Sequence, residues 1–186
     1  MTLFTAVAAD YHVSARLIAS LTGIQGLVIA GGAVVGGFVC DRIDRRMANV
    51  AGALLSAAAT IPLLLGSYSR TTFALGMSLY AFAAGFCFAA FSALALELVG
   101  DIRQSASARY ALFVAAANLP VAYMVGIDGQ GHRMFGPKGL FAFDAAASTL
   151  AAITFFFLFR FVWHQPIQLG DGNPAAVSIR SNSESP

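Results

Sequence analysis

Apolar runs long enough to cross a lipid bilayer follow one another along this chain, and no other feature limits its fold as strongly. A hydrocarbon core about 30 Å thick needs roughly 20 apolar residues in a helix. Such windows are read in succession at residues 17–40, 47–66, 73–96, 110–127 and 139–163. They are apolar on every side, whereas membrane barrel strands alternate apolar and polar residues over short segments. Five transmembrane helices are therefore expected, and the fold class is an all-α membrane protein. Composition agrees: 58% of the 186 residues are hydrophobic, 11% are charged, and the mean hydropathy is +0.74, more than a water-soluble core of this length needs.

The connections organise these spans. Residues 41–46, 67–72 and 100–109 are short, which predicts that consecutive helices pack antiparallel as neighbours. The Gly-rich segment 128–138 is the longest connection. Residues 164–186 turn to Pro, Gly, Asn and Ser and end in SIRSNSESP; that composition buries too little apolar surface to offset chain entropy, so a disordered tail is expected. Residues 1–16 lack the basic start of a signal peptide and read as the remnant of a preceding helix with its outer loop. Residues 17–163 then form one transmembrane domain. Arg42, Arg45, Arg46, Arg103, Arg109, Arg160 and Arg180 fall on one side of the spans, against Arg16, Arg70, Arg133 and Lys138 on the other. That asymmetry makes the first side, with the C-terminus, cytoplasmic. A net charge of +2 is too small to imply a nucleic-acid partner.

Charge gathers at one spot, GGFVCDRIDRRMAN, residues 36–49. Arginines beside a cytoplasmic helix end are ordinary, but the carboxylates are not. Asp41 leaves the first span at the end of a small-residue stripe, Gly23, Gly26, Ala30, Ala33 and Gly37, while Gly32 and Gly36 form a GxxxG pair one step round the helix. An acid at a helix C-terminus opposes that helix's own dipole, so it calls for partners elsewhere: arginines one turn away, or the N-terminus of a neighbouring helix.

Gly37, Asp41, Arg42, Arg45 and Arg46 match G-x-x-x-D-[RK]-x-G-[RK]-[RK], and in this the chain resembles the major facilitator superfamily, whose cytoplasmic-loop motif this is. Asp44 stands where the pattern has Gly, at a position expected to turn tightly, and Asp tolerates left-handed backbone better than most residues. The resemblance implies helices eight to twelve of a twelve-helix transporter, an incomplete six-helix half-bundle. It also implies alternating access, with Gly37, Asp41, Arg42, Arg45 and Arg46 as a conformational gate whose acid meets a helix of the other half. The expected partners are the bilayer, a small organic solute, and an N-terminal transporter half or another membrane protein. The expected location is the bacterial cytoplasmic (inner) membrane. The stretch YMVGIDGQGHRMFGPKGLFAFDAAAS, residues 123–148, is further similar to the final outer loop and last helix of the muropeptide permease and acetyl-coenzyme A transporter branch.

Charges inside a bilayer are costly and usually functional. Asp144 lies near the outer end of the last span, where water, Lys138 or Arg133 would satisfy it, so a structural role is favoured over proton coupling. Glu97 is read as part of a surface ion-pair network with Arg103 and Arg109, or as sharing a gating role with the Asp41 cluster. Uncharged groups make better pathway candidates. Asn118 is followed by Pro120, whose missing N–H frees a carbonyl, and Gln25 is comparable; interhelical hydrogen bonding accounts for them equally well. Tyr80 and Tyr123 are candidates for the same cavity. Cys40 and Cys87 are isolated, and His12, His132 and His164 lack ligand spacing, so neither a metal nor a cofactor is expected. No nucleophile–base pair is visible, which disfavours an intramembrane enzyme. The alternatives to a partial or split transporter are a non-transporting membrane component that binds a partner through small-residue helix faces, and a non-functional gene fragment.

Overall fold

The computed structural model describes residue 4, residues 7–100 and residues 106–162, and among these every regular element is helical. The helices are α1 (Ala15–Cys40), α2 (Arg45–Ala59), α3 (Ile61–Leu65), α4 (Arg70–Val99) and α5 (Ala106–Val162). Four stretches are long and apolar enough to cross a membrane: Ala15–Cys40, Arg45–Leu65, Arg70–Val99 and Ala106–Phe161. Large apolar side chains such as Leu27, Val34, Leu65, Leu112 and Phe161 lie exposed, the inverse of a water-soluble surface and the pattern lipid requires.

Local chemistry sets the helix ends. Ser14 caps α1 by accepting from Leu17 N at 3.3 Å, and Ser69 caps α4 by accepting from Thr72 N at 3.2 Å; each satisfies one of the four free amides of a helix start. α2 and α3 form one span, bent at Thr60. Pro62 lacks the N–H that would continue the ladder, and the Thr60 hydroxyl donates to Ala57 O at 2.7 Å.

The 57 residues of α5 would extend about 85 Å if straight, over twice the hydrocarbon thickness. They are interrupted at Gly136 (φ 69°, ψ −160°), followed by Pro137. Only glycine adopts that backbone without strain, and the break divides α5 into two helical arms, 106–135 and 137–162. The arms fold back on each other. A Cβ on Gly131 would meet Gly139 O at 2.8 Å, and Tyr123 and Met124 of one arm line a cleft with Ala151 and Phe155 of the other. Residues 128–138, read from the sequence as an extended connection, are thus helical except at Gly136. Of their glycines, Gly131 serves close approach between the arms, against Gly139.

Packing follows the small residues more than the chain order. α1 and α4 form the most intimate pair and run parallel: Gly32 abuts the Phe82 backbone, Gly36 the Phe86 backbone, and Gly85 the Ile29 carbonyl. α1 makes far fewer contacts with α2, although a short turn joins them. The expectation that chain neighbours are packing neighbours fails here, because the facing glycines of α1 and α4 let their backbones approach closely. α2 runs antiparallel to α4, with Asn49 Nδ2 donating to Ala90 O at 2.9 Å and Gly52 against Cys87. Its other side meets the second arm of α5, where Val50 and Leu54 share a groove with Ala152 and Phe156.

The bundle therefore has two ends. At one lies the turn between α1 and α2; at the other lies the Gly136 break. Phe4, Val7 and Tyr11 close the second end, packed with Leu63, Phe73, Met77, Leu140 and Phe141. Tyr11 Oη donates to Leu63 O at 2.9 Å, and Arg70 Nε to His12 O at 3.1 Å.

Candidate functional site

Two places gather the polar chemistry of this apolar bundle. The first is the charged turn. Asp44 is the N-cap of α2: its carboxylate accepts from Arg46 N at 2.8 Å, at φ −54° and ψ 127°. The backbone at Asp44 is not left-handed; an extended N-cap with an acceptor side chain satisfies the start of α2. Arg45 Nη1 lies 3.2 Å from Glu97 Oε2, and Arg46 Nη2 lies 3.9 Å from Glu97 Oε1. The turn is thereby tied to the end of α4. Glu97 joins the charged cluster, while Arg109 is exposed and Arg103 lies outside the described residues. The Arg42 guanidinium sits 3.9 Å above the Phe38 ring centroid. Asp41 caps α1 with its backbone N–H on Gly37 O, and its exposed carboxylate has no partner among the described residues.

The sequence model of the Major Facilitator Superfamily matches residues 1–180 of the chain. The chain belongs to that superfamily. Comparison with curated proteins and with solved structures returned no match. Membership makes the bundle that of a membrane-embedded secondary transporter and points away from an enzyme.

The second polar place in this superfamily member is the α5 hairpin. Asp144 is 7% exposed and Asp128 5%. They stand eight residues after and eight before Gly136, so the hairpin brings them to the same level on facing arms. Tyr80 Oη of α4 donates to Asp144 Oδ1 over a long 3.4 Å. Asp144 Oδ2, Asp128 Oδ1 and His132 Nε2 are buried without a hydrogen-bond partner among the described residues. Neither basic residue expected beside Asp144 is paired with it: the Lys138 ammonium lies 5.4 Å from the Tyr68 ring centroid, and Arg133 is exposed. Asp144 opens onto a cleft of about 550 Å³ between the arms, otherwise lined largely by apolar groups, among them Pro120, Tyr123, Met124 and Phe155.

The remaining candidates disperse. Asn118 is exposed and donates to Val114 O of its own helix at 2.8 Å, away from the cleft that Pro120 lines. Gln25 borders a separate void of about 20 Å³ between α1 and α4, room for about one water. Gly32 and Gly36 are buried against α4, whereas Gly23, Gly26 and Gly37 have nothing within 4 Å of a Cβ. His164 and Arg180 lie outside the described residues. One participant was not anticipated, Asp128, read as part of a loop; Tyr80, a cavity candidate, instead reaches Asp144 from α4 and does not line the cleft. The available signal was the equal spacing of Asp128 and Asp144 from Gly136-Pro137, which marks a hairpin once the intervening residues are taken as helical.

Proposed function

We propose that this chain forms the translocating bundle, or part of it, of a secondary transporter for a small organic solute, crossing the membrane five times with Gly136 as the fourth turn. In this reading its helices correspond to helices eight to twelve of the superfamily fold and work by alternating access against a further set of helices. The charged turn then lies on the cytoplasmic side of the bacterial inner membrane, as the arginine asymmetry requires. The observation that carries the reading is the Arg45–Glu97 contact at 3.2 Å. It fastens the motif turn to the end of α4, as a device holding one of two bundle arrangements would. The Asp41 carboxylate, without a partner among the described residues, and the open α1 face at Gly23, Gly26 and Gly37 supply the complementary surface for those further helices. Of the pathway candidates, Pro120 and Asp144 share the α5 cleft. The likeness of residues 123–148 to muropeptide and acetyl-coenzyme A transporters is a likeness of this hairpin, and what those proteins carry is not transferred to this chain.

The open α1 face also favours a second reading, a non-transporting component that binds a membrane partner there. One experiment separates the two. The chain is expressed alone and beside the N-terminal half of a superfamily transporter, and accumulation of a panel of small organic solutes is measured in cells. Uptake in either arrangement, lost in Asp41→Asn, supports transport. No uptake in either, with both proteins shown to be inserted, contradicts it; retained association with the other half would then favour the second reading.

A further inference from the structure

Deepening the transporter reading, and resting on it for biological meaning, we propose that the cleft between the arms of α5 binds a singly charged organic cation, an apolar body bearing an ammonium group. Asp144 lies at the edge of this cleft, over nine-tenths buried, with Oδ2 unpartnered and Oδ1 held only by the long Tyr80 contact. A buried carboxylate is stable only when charge or hydrogen bonds answer it. Among the described groups facing it, none is cationic. Tyr80 approaches from α4, and Asp128, on the other arm, is a second buried acid with an unpartnered oxygen. Lys138 lies over the Tyr68 ring and Arg133 is exposed. A positively charged occupant of the cleft would answer that carboxylate.

The cleft's shape and lining define the rest of that occupant. Its volume of about 550 Å³ falls in the range of small-molecule sites. Tyr123 and Phe155 place aromatic rings, a group that attracts cations, in its lining, and Met124 is a polarizable, adaptable contact. Pro120 and Ile127 complete an apolar wall. An anion would meet the Asp144 carboxylate, the one acid among the lining residues, and a neutral molecule would bring it no charge. The cation's charge sits at Asp144 and its body extends along the arms toward Phe155.

The test uses the full chain, purified in detergent, with a cysteine at Ser148 on the cleft wall. Benzyltrimethylammonium and benzenesulfonate, similar in size and opposite in charge, are compared for protection of that cysteine against a maleimide. The cation is expected to protect at concentrations at least about tenfold lower than the anion, the scale of one hydrogen bond or ion pair to a charged group. Asp144→Asn, close in size, should remove that difference while circular dichroism shows unchanged helicity. Equal protection by the two ions, or protection by neither, overturns the proposal, and this reading needs no variant beyond the cysteine. A preference that survives in folded Asp144→Asn overturns the role of Asp144. Because binding is read without transport, a cation preference without any uptake keeps the site and removes the transporter reading. Uptake without the preference removes only the site.

Discussion

Asp44 does with a side chain what glycine at the same motif position does with its backbone. Its carboxylate takes up a free amide at the start of α2, so Asp44→Ala should cost about 1 kcal/mol of stability, while Asp44→Gly, which restores the superfamily pattern, should cost only a few tenths. Unfolding in mixed detergent micelles, followed by circular dichroism, gives the comparison. Glu97 behaves differently. Its side chain is 39% exposed and that of Arg45 is 45% exposed, so the pair contributes under about 1 kcal/mol to stability. Glu97→Gln should leave unfolding nearly unchanged yet speed amide hydrogen exchange in residues 41–46, and high salt should reproduce the effect in the unmodified chain. A large loss of stability would show that Glu97 supports the bundle and does not latch the turn.

At the scale of elements, the α1–α4 pair is held by glycines on both helices. A side chain at Gly32 would collide with the Phe82 backbone, whereas one at Gly26 meets nothing within 4 Å. Gly32→Leu should therefore destabilise the bundle by about 1–3 kcal/mol or more through overpacking, and Gly26→Leu should not. Thermal melting of the two purified variants decides between them. This pair also shows what could be read in advance. The GxxxG spacing of Gly32 and Gly36 was visible, but its partner was not, because Gly85 sits in a helix apolar on all faces and no periodicity singles out one side. The α5 hairpin was legible as two apolar windows and illegible as a turn. Gly129, Gly131 and Gly136 marked residues 128–138 as a Gly-rich connection, while the actual reversal needs only the positive φ of Gly136 ahead of Pro137. Asp144 was visible as a costly charge, yet its surroundings were misjudged because Lys138 is close in sequence and turned toward Tyr68 in space.

For the whole molecule, the succession of apolar windows dictated a helical membrane bundle, and superfamily membership agrees with the charged turn that resembles its motif. This geometry threads the chain through the bilayer with the motif turn and the Gly136 reversal on opposite faces. Cysteines placed singly at Ile43, Ser67, Ser107 and Met134, in a background lacking Cys40 and Cys87, can be labelled with a membrane-impermeant maleimide from either side of sealed vesicles. Positions 43 and 107 should react from one face and positions 67 and 134 from the other. Reaction of 107 and 134 from the same face would contradict the account.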